Sequence, residues 1–142
     1  MSTLEDELAL NKLMARYVDA ANRRDGAAWS NTWAEDACWL LMGMEITGRK
    51  NILGLWQQVL EGFEFALLMP SSGHVDLAGD TATGHWYLQE FTRDHQGETL
   101  VALSRYNDDY VKVDGKWLFA RREYNFLYRG PADLSGAYTP LA

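Results

Sequence analysis

Histidine is the residue type best suited to acid–base chemistry here, because its side chain accepts and donates protons near neutral pH. The chain has three histidines, His74, His85 and His95. His74 and His95 lie in or beside predicted turns, whereas His85 lies within a predicted strand. His85 is therefore the candidate proton shuttle. The alternative interpretation is a half-exposed strand histidine that is hydrogen-bonded to a neighbour.

The sequence gives little support to metal or nucleotide chemistry. The histidines are scattered, without a carboxylate at ligand spacing. The single cysteine, Cys38, lies in an apolar run and is expected to be an inert small hydrophobic residue. Gly43, Gly48 and Gly54 match neither the dinucleotide nor the nucleotide fingerprint. We therefore expect neither a metal nor a cofactor.

The charge balance argues against polyanionic partners. Thirteen Lys and Arg residues against twenty Asp and Glu residues give a net charge of −7, which repels nucleic acid and anionic membranes. The first ten residues are acidic and lack the basic and apolar segments of a signal peptide. The expected location is the cytoplasm.

Helical periodicity dominates the first part of the chain. Apolar residues at helical spacing predict a long first helix that ends at about Arg24. Asp25 is expected to cap a short second helix through Trp29 and Trp33, and a third helix is predicted over Lys50–Gly62.

Strand-like alternation dominates the second part, and Asp114-Gly115 is its strongest hairpin signal. The predicted strands are Ala37–Met42, His74–Ala78, Thr81–Arg93, Glu98–Val113 and Trp117–Tyr128. Helices followed by a meander of long strands predict an α+β fold, with helices packed on one face of a curved sheet. One domain is expected over residues 1–142, with a core over about 4–129 and a tail over 130–142.

Several short segments form a recognisable set. They are Arg16–Asp25 (RYVDAANRRD), Trp33–Ala37 (WAEDA), Gly48-Arg49, Gly79–Ala82 (GDTA), Arg105-Tyr106, Val113–Trp117 (VDGKW) and Arg121-Arg122. This set resembles the SnoaL-like group of the nuclear transport factor 2-like superfamily. The resemblance implies a cone-shaped, cystatin-like fold of three helices closed by a strongly curved, mainly antiparallel sheet. In the family that the chain resembles, this fold hosts polyketide cyclases, steroid isomerases, dehydratases, epoxide hydrolases, dioxygenase small subunits and non-enzymatic binders, so the resemblance implies the fold more specifically than the activity.

The resemblance to the steroid isomerases implies roles for individual residues. A helix tyrosine and a strand aspartic acid of those enzymes donate hydrogen bonds to an enolate, and these positions fall on Tyr17 and Asp109. The carboxylate that moves the proton falls on Leu41, which cannot do so.

The resemblance to scytalone dehydratase implies a different set of positions. Its helix carboxylate falls near Asn22, its strand tyrosine near Leu41, and its two histidines near Leu68 and Leu103. None of these side chains is retained, so that chemistry is not expected.

Alternation along the strands extends the predicted site. If Asp109 points into the cone, its own strand also directs Leu103, Arg105, Asn107, Val111 and Val113 inward. The same register directs His85 into the cone. The predicted catalytic residues are therefore Tyr17, His85 and Asp109. The predicted substrate-binding residues are Trp39, Leu41, Tyr87, Gln89, Asn107, Arg122 and Tyr124. Asp109 is then either a neutral donor in an apolar site or the ionised partner of Arg105 or Arg122, while Asp108 faces solvent.

Two functions of different class follow. The first is a cofactor-free isomerase, cyclase or dehydratase that acts on a hydrophobic cyclic carbonyl compound through an enolate. The alternative is a carrier or sensor that binds an apolar metabolite unchanged. A purely structural role, as in the small subunits of ring-hydroxylating dioxygenases, is a third possibility.

Aromatic residues make up 13% of the chain, enough either to line a cavity or to fill a core. Several of them are predicted to form an apolar outer face of the sheet: Trp86, Tyr106, Tyr110, Trp117 and Phe119. This face predicts a two-fold homodimer.

Overall fold

The computed structural model describes residues 3–131. Its elements are α1 (Thr3–Arg23), α2 (Gly26–Ser30), β1 (Trp33–Leu41), β2 (Met44–Thr47), α3 (Arg49–Glu61), β3 (Phe63–Ala78), β4 (Thr81–Asp94), β5 (Thr99–Val113) and β6 (Lys116–Pro131). Helices packed against one mixed sheet make an α+β fold, as predicted. Residues 130 and 131 of the predicted tail end β6, and the rest of that tail lies outside the described residues.

The first helix forms because its apolar residues recur three and four positions apart. Leu10, Leu13, Met14 and Tyr17 are buried along one stripe of α1. The next helix, α2, begins at the predicted cap, where the Asp25 side chain accepts a hydrogen bond from the backbone N–H of Ala28 at 3.0 Å.

The predicted second helix is too long. The observed helix α2 ends at Ser30, and Trp33 is the first residue of β1. The backbone carbonyl of Thr32 accepts a hydrogen bond from the N–H of Phe119 at 2.9 Å, so the chain has already joined the sheet at this point.

Six strands form one sheet in the order β2-β1-β6-β5-β4-β3. Strand β1 runs parallel to β6, and the other neighbours are antiparallel. The predicted hairpin at Asp114-Gly115 is confirmed, with φ angles of 50° and 78° that suit a tight turn. Two features differ from the prediction: β2 (Met44–Thr47) forms where no strand is predicted, and β3 begins at Phe63 rather than His74.

The predicted register of the central strands is wrong by one residue. On β5 the buried side chains are Ser104, Tyr106, Asp108 and Tyr110, whereas Asp109 is exposed. Because successive side chains alternate between faces, a one-residue shift moves the whole set to the opposite face. The residues predicted to share the inner face with Asp109 on β5, and those paired with them on β4, therefore lie on the outer face. They are Leu103, Arg105, Asn107, Val111 and Val113, with His85, Tyr87, Gln89 and Phe91.

Strand β6 shows why a simple alternation fails. Asp109 pairs with Arg121 but Tyr110 pairs with Phe119, so one extra residue is inserted as a bulge. Both Phe119 and Arg122 are consequently buried, although they are three positions apart.

The predicted apolar outer face is also wrong. Trp86, Tyr106, Tyr110, Trp117 and Phe119 are each no more than 9% exposed and lie in the core. The homodimer itself stays a prediction, and these side chains no longer supply its interface.

An aromatic cluster joins the helices to the sheet. The ring of Tyr17 lies 5.4 Å from Trp29, 6.2 Å from Trp33 and 5.3 Å from Phe119, measured between centroids. Trp29 is stacked on Trp56 of α3 at 4.3 Å with an interplanar angle of 7°. These contacts hold α1, α2 and α3 against the concave face of the sheet. Within residues 3–131, none of the helices has the length and apolar character needed to cross a bilayer.

Candidate active site

A cavity of about 190 Å³ lies between helices α1 and α3 and the concave face of the sheet. Most of its wall is apolar, with a small number of polar groups, which is the usual composition of a small-molecule site. The apolar lining includes Trp39, Leu41, Trp56, Leu60, Phe63, Leu68, Leu100, Ala102 and Phe126. The polar side chains of the lining are Tyr17, Asn22, Glu90, Thr92, Tyr106, Tyr124 and Arg129.

Two buried tyrosines present their hydroxyl groups to each other in this wall. The oxygens of Tyr17 on α1 and Tyr106 on β5 are 3.1 Å apart. Burial raises the pKa of Tyr17 and raises that of Tyr106 well above its ordinary value, so both phenols keep their protons. One hydroxyl donates to the other, and the proton of the accepting hydroxyl is left available. The pair can therefore donate one hydrogen bond to a ligand.

A buried cation lies behind this tyrosine pair. The guanidinium carbon of Arg122 is 3.7 Å from the ring centre of Tyr106, 3.8 Å from that of Phe119 and 4.5 Å from that of Tyr17. Asp108 holds it through two hydrogen bonds of 2.7 Å, and both side chains are fully buried. Burial lowers the pKa of Arg122, but the charge and hydrogen bonds of Asp108 outweigh this effect, and the net pKa is raised. A permanent positive charge thus lies against two phenol rings of the cavity wall.

Asp108 differs from its predicted solvent-facing position because its partners are all buried. Besides Arg122, it accepts a hydrogen bond from the hydroxyl of Tyr110 at 2.8 Å. That hydroxyl accepts one from the indole N–H of Trp86 at 3.0 Å. The carboxylate is therefore part of a hydrogen-bonded network rather than a surface charge.

Glu90 on β4 contributes a carboxyl group to the same cavity. It accepts hydrogen bonds from the hydroxyl of Tyr124 and, at 3.3 Å, from that of Ser104. Burial raises the pKa of Glu90, and the two hydroxyl donors offset part of this effect. A carboxyl whose pKa is raised by burial is a candidate for general acid–base work. Sequence reasoning missed it, although Trp86, Leu88 and Glu90 follow the spacing of two that marks one face of a strand.

The structure brings only some of the predicted site residues together. Tyr17, Trp39, Leu41 and Tyr124 line the cavity, while Arg122 lies behind its wall.

The remaining predicted residues lie on the outer face of the sheet: His85, Tyr87, Gln89, Asn107 and Asp109. There His85 contacts His74 and Tyr87, with ring centroids 5.9 Å and 5.7 Å apart. Asn107 accepts a hydrogen bond from Arg105 at 2.9 Å. The expected convergence of Tyr17, His85 and Asp109 is therefore wrong, because the sheet separates the first residue from the other two.

Asn22 and Leu68 lie next to each other in the cavity wall. The Asn22 amide donates to the carbonyl of Leu68 at 2.9 Å and accepts from its N–H at 2.8 Å. The resemblance to scytalone dehydratase assigns a carboxylate and a histidine to these two positions. An amide and a leucine cannot exchange a proton, so a dyad of that kind is not formed here.

Across residues 3–131, no three His, Cys, Asp or Glu side chains converge as ligands for a metal ion. Of the described residues, those that line the cavity carry hydroxyls, one amide, one carboxyl and one guanidinium, besides the indole N–H groups of Trp39 and Trp56.

A sequence model of the SnoaL-like domain matches residues 2–123. The chain belongs to the SnoaL-like domain family. No protein of curated function matches the sequence significantly.

Several solved structures share the fold of this SnoaL-like chain. A hexachlorocyclohexane dehydrochlorinase, LinA Type2, is 18% identical with a TM-score of 0.85, over 96% of this chain and 95% of its own. A protein of Novosphingobium aromaticivorans DSM 12444, provisionally assigned as a scytalone dehydratase, is 20% identical with a TM-score of 0.84, over 94% of this chain and 92% of its own. A protein of unknown function with a cystatin-like fold from Nostoc punctiforme PCC 73102 is 19% identical with a TM-score of 0.74, over 89% of this chain and 93% of its own. At these identities the likeness establishes the fold, which hosts more than one chemistry.

Proposed function

We propose that this SnoaL-like protein is a cofactor-independent enzyme that moves a proton next to the carbonyl group of a hydrophobic cyclic compound. The observation that carries the proposal is the presence of a carboxyl group, Glu90, and a hydroxyl donor pair, Tyr17 and Tyr106, in the wall of one apolar cavity. Tyr124 connects them, because its hydroxyl donates to Glu90 and its ring lies 5.6 Å from that of Tyr106.

The reaction needs one base and one site for negative charge. The carboxylate of Glu90 takes a proton from the carbon next to the carbonyl, and the electron pair of that C–H bond forms the enolate. The oxygen of the enolate accepts the hydrogen bond that Tyr17 and Tyr106 have available. Glu90 then returns the proton to another carbon, which isomerises the substrate. If a group β to the carbonyl departs instead, it takes the electron pair of its own bond, the enolate electrons form the new carbon–carbon double bond, and Glu90 passes its proton to the leaving group, so the result is an elimination.

The cavity sets the size of the substrate. An apolar cavity of about 150 Å³ accommodates benzene. The cavity here is about 190 Å³ and is partly open, so it suits a compound of one or two rings. Leu41, Leu60 and Leu68 offer apolar contact rather than specific recognition of polar substituents.

Exchange of α-protons for deuterium tests the proposal without knowledge of the natural product. The probe is 2-tetralone in D₂O, followed by proton NMR, and we expect the protein to accelerate the exchange. Glu90→Gln should lose roughly 10²–10⁴-fold of the acceleration, as expected for removal of a general base. The double variant Tyr17→Phe/Tyr106→Phe, which removes both hydroxyls of the pair, should lose roughly 10²–10³-fold, as expected for removal of an oxyanion donor.

His85→Gln and Asp109→Asn are the matched controls, because both residues lie on the outer face of the sheet. We expect both variants to exchange at the wild-type rate. Wild-type exchange in Glu90→Gln would contradict the proposal.

A second candidate function, binding without turnover, is favoured by one observation. Asn22 and Leu68 occupy the positions at which the resemblance to scytalone dehydratase assigns proton-transferring groups. Saturable binding of 2-tetralone, measured by tryptophan fluorescence, together with exchange at the background rate would select this function.

A further inference from the structure

Arg129 places a second charged group in the cavity wall, and the proposed chemistry does not use it. Glu90 on β4 pairs with Ala102 on β5, and Ala102 pairs with Arg129 on β6. Residues directly opposite each other share a face of the sheet. Glu90, Ala102 and Arg129 therefore form one row on the concave face, and all three line the cavity.

The carboxyl of Glu90 points away from Arg129 within this row. Its hydrogen bonds run to Tyr124 and Ser104 on the side of the tyrosine pair. Among residues 3–131, no hydrogen bond or ion pair joins Glu90 to Arg129. The two charged groups are therefore separate parts of the site rather than partners.

The exposed side chain of Arg129 lies near one aromatic ring of its own strand. Its guanidinium carbon lies 5.6 Å from the ring centre of Phe126. The ring of Phe126 in turn contacts that of Tyr124 edge-on, with centroids 5.0 Å apart. A guanidinium near an aromatic face is attracted to the ring, while its N–H groups can still donate to an anion.

The spacing along β5 gives the length of a ligand that could reach both ends. Tyr106 and Ala102 are four residues apart, which corresponds to roughly 13 Å between their rows. We propose that the cavity binds a cyclic ligand with an oxygen at the Tyr17–Tyr106 end and a carboxylate at the Arg129 end. This inference rests on the proposed function for the position of the oxygen, and it adds the anionic group to the substrate class.

The net charge of −7 makes this local cation important. The protein as a whole repels an anion, so selection of a carboxylate has to come from a nearby positive group. Arg129 is the basic side chain of the cavity lining within residues 3–131, since Arg122 lies behind the rings.

The test compares two fluorescent probes that share one ring system: 6-hydroxy-2-naphthoate, which carries a carboxylate at one end, and its methyl ester, which is uncharged there and carries one additional methyl group. We expect the wild-type protein to bind the acid about tenfold more tightly than the ester, as one charge-assisted hydrogen bond at a partly open site provides. In Arg129→Gln the dissociation constant of the ester divided by that of the acid should fall from about ten to one or below. The affinity for the ester should stay unchanged.

Arg105→Gln is the matched control. Its guanidinium also lies 5.6 Å from an aromatic ring, that of Tyr87, but on the outer face of the sheet. We expect this variant to keep the wild-type preference for the acid. Equal wild-type affinity for both probes, no binding of either, or a preference that survives in Arg129→Gln overturns the inference. Because the readout is equilibrium binding, it stands apart from the deuterium exchange that tests the function of Glu90.

Discussion

Glu90 is subject to two opposite influences on its pKa. The apolar surroundings raise the pKa by disfavouring the charged form, while hydrogen bonds from Tyr124 and Ser104 favour the charged form and lower it. Burial is the larger influence, so the folded protein holds this proton at a pH at which the unfolded chain releases it. The same property that suits Glu90 to proton transfer therefore has a cost in stability near neutral pH.

This cost predicts a pH-dependent effect of Glu90→Gln. In wild type, the contribution of Glu90 to the free energy of unfolding falls as the pH rises above its ordinary pKa of 4.5 and levels off above its folded-state pKa. Glutamine does not titrate, so the variant should gain stability relative to wild type as the pH rises from 4 to 8. Urea denaturation across this range measures the difference.

Glu123→Gln should show the opposite trend. Hydrogen bonds from Asn125 and Asn107 lower the pKa of Glu123, so its ionised form stabilises the fold above its ordinary pKa. Relative to wild type, this variant should lose stability as the pH rises from below the folded-state pKa of Glu123 to the ordinary pKa of 4.5, and the difference should stay constant above it, so the urea series for this variant extends below pH 4. Parallel trends in the two variants would contradict the assigned pKa directions.

At the scale of the elements, a helix or turn could be predicted from the sequence where its residue pattern is compatible with a single local structure. The spacing of Leu10, Leu13, Met14 and Tyr17 is helical and nothing else, and it directed Tyr17 correctly into the core. Asp114-Gly115 supplies the positive φ angles that a tight hairpin needs.

The register of β4 and β5 was not predictable in this way. His85, Trp86, Tyr87 and Leu88 are all large, and each alternation along β4 mixes aromatic or apolar side chains with a polar one, Gln89 or Glu90, so neither face stands out as the buried one. The packing of Trp86 and Tyr110 in the core decides between them, and this choice depends on contacts far apart in sequence. The prediction directed the face with His85 and Asp109 inward. It therefore assigned these two residues to the site and missed Glu90, which lies on the opposite face. Bulges such as the one between Phe119 and Arg121 leave no mark in the sequence.

Two adjacent aspartates test the register directly. Asp108→Asn should lower the free energy of unfolding by roughly 3–5 kcal/mol, because it leaves the buried charge of Arg122 without its counter-ion. Asp109→Asn should change it by less than about 0.5 kcal/mol, because the side chain is exposed. Chemical denaturation measures the free energy of unfolding of both variants. Equal effects would contradict the register of β5 described above, in which Asp108 is buried and Asp109 is exposed.

At the scale of the whole molecule, the outer face of the sheet carries apolar side chains of its own. Met69, Gln89, Leu103 and Tyr128 form one row across β3, β4, β5 and β6. Met69, Leu103 and Tyr128 are between 40% and 47% exposed, and Phe65 nearby is 50% exposed. This row, rather than the buried aromatic residues, is the surface on which the predicted homodimer now depends.

We expect wild-type protein to be dimeric at micromolar concentration in sedimentation equilibrium. Leu103→Glu should raise the dimer dissociation constant at least roughly tenfold, because the charge would be buried in the interface. Leu8→Glu is the control, since Leu8 is 55% exposed on α1, in the helical layer. A wild-type monomer, or equal weakening by both variants, would count against this interface.

The near-parallel stack of Trp29 on Trp56 has a spectroscopic consequence. Two indoles 4.3 Å apart couple their electronic transitions and should give an exciton couplet in circular dichroism. Trp56 also forms part of the cavity wall, so an incoming molecule that tilts its ring changes the sign or amplitude of that couplet. The protein thus carries a built-in, label-free optical reporter of occupancy, with which compound libraries can be screened before any reaction is known.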